Sequence, residues 1–228
     1  MDGLDGIDGG AQVGPQLYRR LRDLILRGIL PPGSRMSEAE IAQLAGTSRQ
    51  PVREAFIKLA EQGFAEIRPQ RGTFVTRISV AAVHSARFVR EAVEADIVAA
   101  LAILAGDWAL DMAPLNAALT AQQQAAEASD GVRFVALDDE FHRLLADLAG
   151  KTQVWAILDD LKSQMNRVRQ ISVRVTDLMR LTDQHRAIVT AIAAHDAPGA
   201  TAAMRRHLRL ILDDLPDLTA THPDYFSD

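Results

Sequence analysis

The stretch from Ser37 to Gly63, "SEAEIAQLAGTSRQPVREAFIKLAEQG", decides how the N-terminal part of this chain is built. Two helical patterns lie in it, separated by a few residues that include a glycine. Ser37 stands where a side chain caps a first turn, and Glu40 holds the matching place of a capping box. Ile41, Leu44 and Ala45 predict the inward stripe of the first helix, and Gly46 ends it. Ser48 is placed to cap the second helix, Pro51 lies in its first turn, where proline is tolerated, and Gly63 terminates it. Val52, Phe56, Leu59 and Ala60 recur at helical spacing and predict its buried face. Two helices joined by so short a turn make a helix-turn-helix.

Upstream, "PQLYRRLRDLILRGILPPG" (15–33) carries apolar residues at 17, 21, 24, 25 and 29, a helical stripe that the proline-glycine run stops. Downstream, "FAEIRPQRGTFVTRI" (64–78) reads as two short strands around a turn at "PQRG". Three helices and a hairpin predict a winged helix-turn-helix over 15–78. The tail 1–14 has three aspartates, five glycines and no basic residue, which predicts disorder rather than a targeting peptide.

The charge balance agrees. The chain has 228 residues and net charge −5, yet residues 15–78 hold 11 Lys/Arg against six Asp/Glu, a net +5, so the remainder carries −10. A small basic module joined to a larger acidic one suggests a polyanion reader attached to a different kind of domain. The absence of cysteine excludes disulfides, thiolate metal sites and a Cys nucleophile. No run of about 18 apolar residues offers a membrane span, and a cytoplasmic location is expected.

Arg49, Gln50 and Arg53 lie near the start of the second helix of the motif and off its apolar stripe. A recognition helix entering the major groove presents such residues to base edges, and arginine on guanine is the commonest specific contact. Arg71 and Gly72 fall at the wing tip, where glycine permits close backbone approach and arginine reaches a phosphate or the minor groove. The duller alternative is a solvated helix face with a hairpin that only packs.

The run "PGSRMSEAEIAQLAGTSRQPVREAFIKLAEQGFAEIRPQRGTFV" resembles the DNA-binding domain of GntR-type bacterial transcription regulators over about 60 residues. Met36 and Phe56 stand where that family usually has leucine, and both keep the position apolar. The resemblance implies DNA contacts at Arg35, Arg49, Arg53 and Gly72, and Ser48, at the cap of the same helix, is a further candidate.

From Val80 to about Thr221 helical stripes succeed one another at 83–105, 112–128, 132–149, 152–172, 175–195 and 198–215, with no strand-like alternation. They predict an antiparallel all-α bundle over 79–221. Polar residues interrupt its apolar faces. In "LDDEFHRLL" (137–145), Asp138 and His142 fall beside Val135, Phe141 and Leu145, stacked one turn apart. His185 shares a face with Leu181, Ile188, Val189 and Ile192, and His207 with Ala203, Met204, Leu210 and Ile211. Counted from a turn near 196–198, His185 is about 11 residues back and His207 about 10 forward. At about 1.5 Å rise per residue, an antiparallel hairpin returns both to one height.

One carboxylate and three imidazoles aimed at one space suit a divalent transition metal such as Zn, Ni, Fe or Mn. Burying such groups is unfavourable unless something satisfies them, and an ion does so directly. A hydrogen-bonded network without metal, or histidines lining an organic pocket, are the alternatives. His84, His195 and His222 sit at helix ends or in loops and read as surface.

"DDEFHRLLADLAG…DQHRAIVTAIAAHDAPGATAAMRRHL" is similar to the ligand domain of the FadR-type subfamily, often called the FCD domain. In that subfamily Asp138, His142, His185 and His207 correspond to metal ligands, and an organic acid commonly sits on or near the ion. "REAVE" (90–94) resembles a segment whose arginine often reaches the effector carboxylate, and a guanidinium fork binds both oxygens at once. That makes Arg90 an effector candidate, with an i, i+4 pair to Glu94 as the plain alternative. Arg167 and Arg169 are weaker candidates.

The expected function is a ligand-responsive transcription regulator, a repressor and not an enzyme. It binds a palindromic operator as a homodimer and takes a small carboxylate metabolite at a metal-assisted pocket. A metal-dependent hydrolase is the other class, but only Asp139 and Glu140 stand near as bases, and the winged helix would be unexplained. A direct metal sensor is the third.

Overall fold

The computed structural model describes residues 12–107, 110–172 and 177–228. Most of the expected tail, residues 1–11, and the start of the helix expected at 175 lie outside them. The chain divides into two compact units, one of Met1–Val80 with Thr219–Asp228 and one of Ala81–Leu218.

The first unit is a winged helix-turn-helix. Its helix α1 spans Val13–Leu26, so Val13 and Gly14 are helical although the sequence pattern leaves them in the tail. Strand β1 (Arg35–Met36), helix α2 (Glu38–Leu44) and helix α3 (Arg49–Glu61) follow. Strands β2 (Ala65–Arg68) and β3 (Gly72–Val75) form the hairpin. The sheet has three strands rather than two, because β1 pairs antiparallel with β3, Arg35 opposite Phe74. A two-residue strand is too short to show a period in the sequence.

Ser37 caps α2 by accepting from the Glu40 N–H at 3.4 Å. Gly46 takes φ +60 in the turn before α3, a conformation that glycine adopts without strain. Leu17, Leu21, Ile41, Val52, Phe56 and Leu59 pack with Phe64 and Val75 into one core. Two residues expected inside are not. Ile29 is 44% exposed because α1 ends at Leu26, and Leu44 is 46% exposed because the two-turn α2 buries Ile41 and Ala42 instead. Strand β4 (Ile78–Ser79) pairs parallel with the C-terminal strand β5 (Phe226–Ser227), and this two-stranded ribbon also escaped the sequence reading.

The second unit is helical. Helix α4 spans Val80–Asp107, α5 Ala113–Glu127, α6 Gly131–Leu148, α7 Thr152–Leu161, α8 Ser163–Ser172, α9 Leu178–Ala193 and α10 Ala197–Thr221. The single helix expected over 152–172 is two, broken at Lys162. That lysine is buried, with Nζ 3.0 Å from Asp139 Oδ2 and 4.2 Å from the Trp155 ring. Val98, Leu101, Leu115, Phe141, Leu145, Ile188, Ile192 and Met204 are central to the bundle core.

Candidate functional site

The stripe of α6 carries polar groups into the core. Asp130 caps that helix by accepting from the Arg133 N–H, which fixes where it starts. Phe134, Asp138, Phe141, His142 and Leu145 then fall on the buried face. Helix α9 starts at the cap Asp177 and buries His185 beside Thr182, Ile188 and Val189. After a turn at 194–196, α10 buries His207 beside Ala203, Met204 and Leu208. The structure brings all four expected residues together: one ligand atom from each lies within 4.8 Å of the others, and all four side chains are buried.

The orientation of the rings is specific. His207 Nε2 lies 3.1 Å from His142 Nε2 and 3.2 Å from His185 Nε2. Asp138 places Oδ2 3.7 Å from His142 Nε2 and Oδ1 3.6 Å from His185 Nε2. Each Nδ1 faces away, toward an acceptor oxygen. His142 Nδ1 is 2.5 Å from Glu94 Oε2, His185 Nδ1 2.7 Å from Gln122 Oε1, and His207 Nδ1 3.1 Å from Gln184 Oε1. These oxygens only accept, so Nδ1 of His185 and of His207 carries the proton and Nε2 turns a lone pair inward, while His142 Nδ1 stands against the Glu94 carboxylate without an aligned hydrogen bond. Neither oxygen of Asp138 has an aligned hydrogen bond. Three inward-facing Nε2 atoms and a carboxylate therefore meet in one buried space, where acceptors without donors are strongly unfavourable. A divalent ion fits this donor set and leaves each ring buttressed from behind, as metal-ligating histidines usually are.

Protonation states agree. Burial lowers the His185 imidazole to about 3 despite the opposing Asp138 charge. Burial, with His185 and His142 beside it, also holds His207 well below its usual value. Both rings are neutral at pH 7. Burial would raise Asp138, but the Arg169 guanidinium beside it outweighs that and holds the carboxyl well below the usual range. Burial would raise Glu94 too, yet Arg90 and His142 bring it down to about 2.

Arg90 makes the i, i+4 pair with Glu94. Its Nε donates to Glu94 Oε1 at 2.5 Å, while Nη2 is buried without a hydrogen-bond partner. The residue lines a cavity of about 60 Å³, together with Asp138, Arg169, His207, Met165 and Leu208. Burial disfavours its charge, but Glu94 more than compensates and the guanidinium stays protonated. Arg169, ranked low in the sequence, is in ion-pair contact with Asp138 and 3.4 Å from Asp139 Oδ1. Its signal was its place one helical turn after the buried Met165.

Gln122 and Gln184, the outer partners of His185 and His207, are not among the residues the sequence pattern singles out. Gln122 sits on the apolar stripe Leu115, Leu119, Gln122, Ala126 and is fully buried, so the reasoning that singled out Asp138 applied to it as well. Gln184 gives no such signal. Of the other histidines, His84 and His195 are exposed, and the half-buried His222 stacks on Tyr225.

In the winged unit, Arg35, Ser48, Arg49, Gln50, Arg53 and Arg71 are all exposed. Ser48 is the N-cap of α3 but its hydroxyl makes no cap hydrogen bond. Gln50 donates to Glu54 at 3.0 Å, and Arg53 makes a two-pronged contact with Glu38, both prongs at 3.1 Å. Gly72 has φ +106, and a Cβ there would stand 3.0 Å from Arg35 Nε. The wing tip thus needs glycine both for its backbone and for the arginine laid across it.

The comparisons with known proteins point one way. Residues 14–75 match the model for bacterial regulatory proteins of the gntR family, and residues 86–210 match the FCD domain. The HTH-type transcriptional repressor RspR of Escherichia coli K12 is 36% identical over 217 residues, covering 95% of this chain and 94% of that protein. An HTH-type transcriptional regulator from an unstable DNA locus of Streptomyces ambofaciens is 35% identical, covering 92% and 88%. Among solved structures, E. coli McbR/YncC superposes with TM-score 0.73 at 19% identity, covering 90% of this chain and 97% of that one, which supports the fold.

Proposed function

The chain belongs to the GntR family of bacterial transcription regulators, with an FCD domain behind its DNA-binding domain, and on that premise we propose a metal-assisted, acid-responsive repressor. Its family and its relatives regulate transcription and are not enzymes, so the hydrolase reading falls away. The domain limits we propose are 15–78 for DNA and 79–221 for metal and effector.

Arg49, Gln50 and Arg53 on α3 read base edges, while Ser48, Arg35 and Arg71 hold the backbone and Gly72 lets the wing approach. A homodimer on a palindromic operator would place two α3 helices about one helical turn apart. Phe88, Ala92 and Ile103 are exposed along one side of α4 and offer apolar surface for a second copy. A regulator of the chromosome works in the cytoplasm.

The observation that carries the metal reading is the convergence of three Nε2 atoms on the Asp138 carboxylate. Asp138, His142, His185 and His207 would hold a divalent ion such as Zn, Ni, Fe or Mn. Bound there, it would supply positive charge to the wall of the cavity that Arg90 also lines. Arg90 Nη2 donates to the effector's carboxylate, and Glu94 fixes Arg90 and His142 at once. A small acid bound by Arg90 then changes operator affinity by linkage, and the operator changes acid affinity by the same factor.

The test is operator binding to DNA flanking the regulator's own gene, with a panel of small organic acids, before and after chelation. An acid should release the metal-loaded protein and lose its effect in Arg90→Ala. Release by metal alone would identify a metal sensor, and acid response unchanged by chelation would remove the ion from the mechanism.

A further inference from the structure

We infer that Arg169 and a divalent ion compete for Asp138, so that loading the cluster drives the Arg169 guanidinium off that carboxylate and into the role of an anion-binding group. The inference rests on the metal reading above and adds a regulation that it does not contain.

Asp138 is the only carboxylate of the four-residue cluster. Arg169 Nη2 is in ion-pair contact with its Oδ2, the oxygen that also faces His142 Nε2 at 3.7 Å. The guanidinium thus stands where an ion bound by the three histidines would need an oxygen. A divalent ion and a guanidinium repel each other, and in a buried site little water screens them. The contact neutralises Asp138 without satisfying it, since both carboxylate oxygens still lack an aligned hydrogen bond. Arg169 has somewhere to go. Its Nη1 is already 3.4 Å from Asp139 Oδ1, and its side chain keeps 16% of its surface in solvent. Arg90, by contrast, is enclosed and tied to Glu94.

The cavity points the same way. It measures about 60 Å³ and is lined by both arginines. An apolar cavity that holds benzene measures about 150 Å³, so withdrawal of a lining side chain would make room for an acid with a carbon skeleton. Arg169 is the lining arginine with an outside partner. Its withdrawal enlarges the space and frees a guanidinium that had been neutralised. Ion first and acid second is the resulting order, with positive coupling between them.

The experiment measures zinc affinity of the full-length protein by competition with a chromophoric chelator, unaltered and with Arg169→Met, an uncharged side chain of related length. The inference predicts zinc binding at least about tenfold tighter in the variant, and a lower Tm before zinc is added. Equal or weaker zinc affinity would show that Arg169 supports Asp138 rather than competing for it, overturning the inference while leaving the metal reading intact. Zinc binding to neither protein would overturn both. In case Arg169→Met does not fold, arginine Nε–H NMR signals of the unaltered protein, with Arg169 identified through Arg169→Lys, decide the question. The Arg169 signal must move on zinc addition, and a signal that stays in place refutes the exchange.

Discussion

At the scale of single residues, a buried imidazole is informative only through both of its nitrogens. His185 has Nδ1 on Gln122 and Nε2 on the cluster, so His185→Ala removes a ligand and leaves Gln122 Oε1 without its donor. Zinc stoichiometry should collapse in this variant, and the Tm gain on adding zinc should vanish, because an ion that binds only the native state stabilises it. Retained stoichiometric zinc would exclude His185 from the site. Glu94→Gln leaves all four ligands in place yet weakens the hold on His142, and zinc affinity should fall about 10- to 100-fold. Protein stripped of divalent ions should also lose stability in acid. Between pH 6.5 and about 3 the unfolded chain takes up a proton at His185 that the folded chain refuses, so the unfolded state binds more protons. Stability then falls as pH falls through that window, by at most about 1.4 kcal/mol per pH unit for this ring. Denaturant titrations at pH 7 and 5 check the sign. On the DNA face, Arg49→Ala should weaken operator binding by about 1–3 kcal/mol. Arg53→Ala should lose less, because Arg53 must first give up its paired contact with Glu38. Equal binding by Arg49→Ala and the unaltered protein would misplace the recognition helix.

Elements differ in how plainly the sequence announces them. The long helices declared themselves through apolar spacing and caps, and His185 and His207 were matched across a turn by helical rise alone. Short features were silent. Strands β1, β4 and β5 have two residues each, too few for any alternation, and they exist because a partner strand is present. The break at Lys162 was hidden for a similar reason. No glycine or proline marks it, and the buried lysine places its ammonium against Asp139 and Trp155. The outer partners of the rings come from α4, α5 and α9, so only packing reveals which histidine each serves. Strand β5 offers its own test. Phe226 is 7% exposed and Ile78, its partner on β4, is fully buried. Phe226→Ala should cost about 2 kcal/mol in stability by equilibrium denaturation. An unchanged midpoint would make the ribbon ornamental.

For the molecule as a whole, two kinds of chemistry share one chain: an arginine-studded reader with net charge +5 over 15–78, and a remainder of −10 that encloses a histidine cluster. The first unit follows from a motif whose residues are contiguous, which is why a short stretch sufficed to recognise it. The second depends on four positions spread over 70 residues, which only a folded bundle gathers. On the proposed reading, Asp138, His142, His185 and His207 bind one divalent ion. X-ray absorption spectroscopy on zinc-loaded, full-length protein addresses this most directly, read together with the amount of zinc bound per chain. One zinc per chain is expected, with three imidazole nitrogens at about 2.0–2.1 Å and an oxygen beside them. Substoichiometric zinc, or a ligand shell without imidazole, would contradict it.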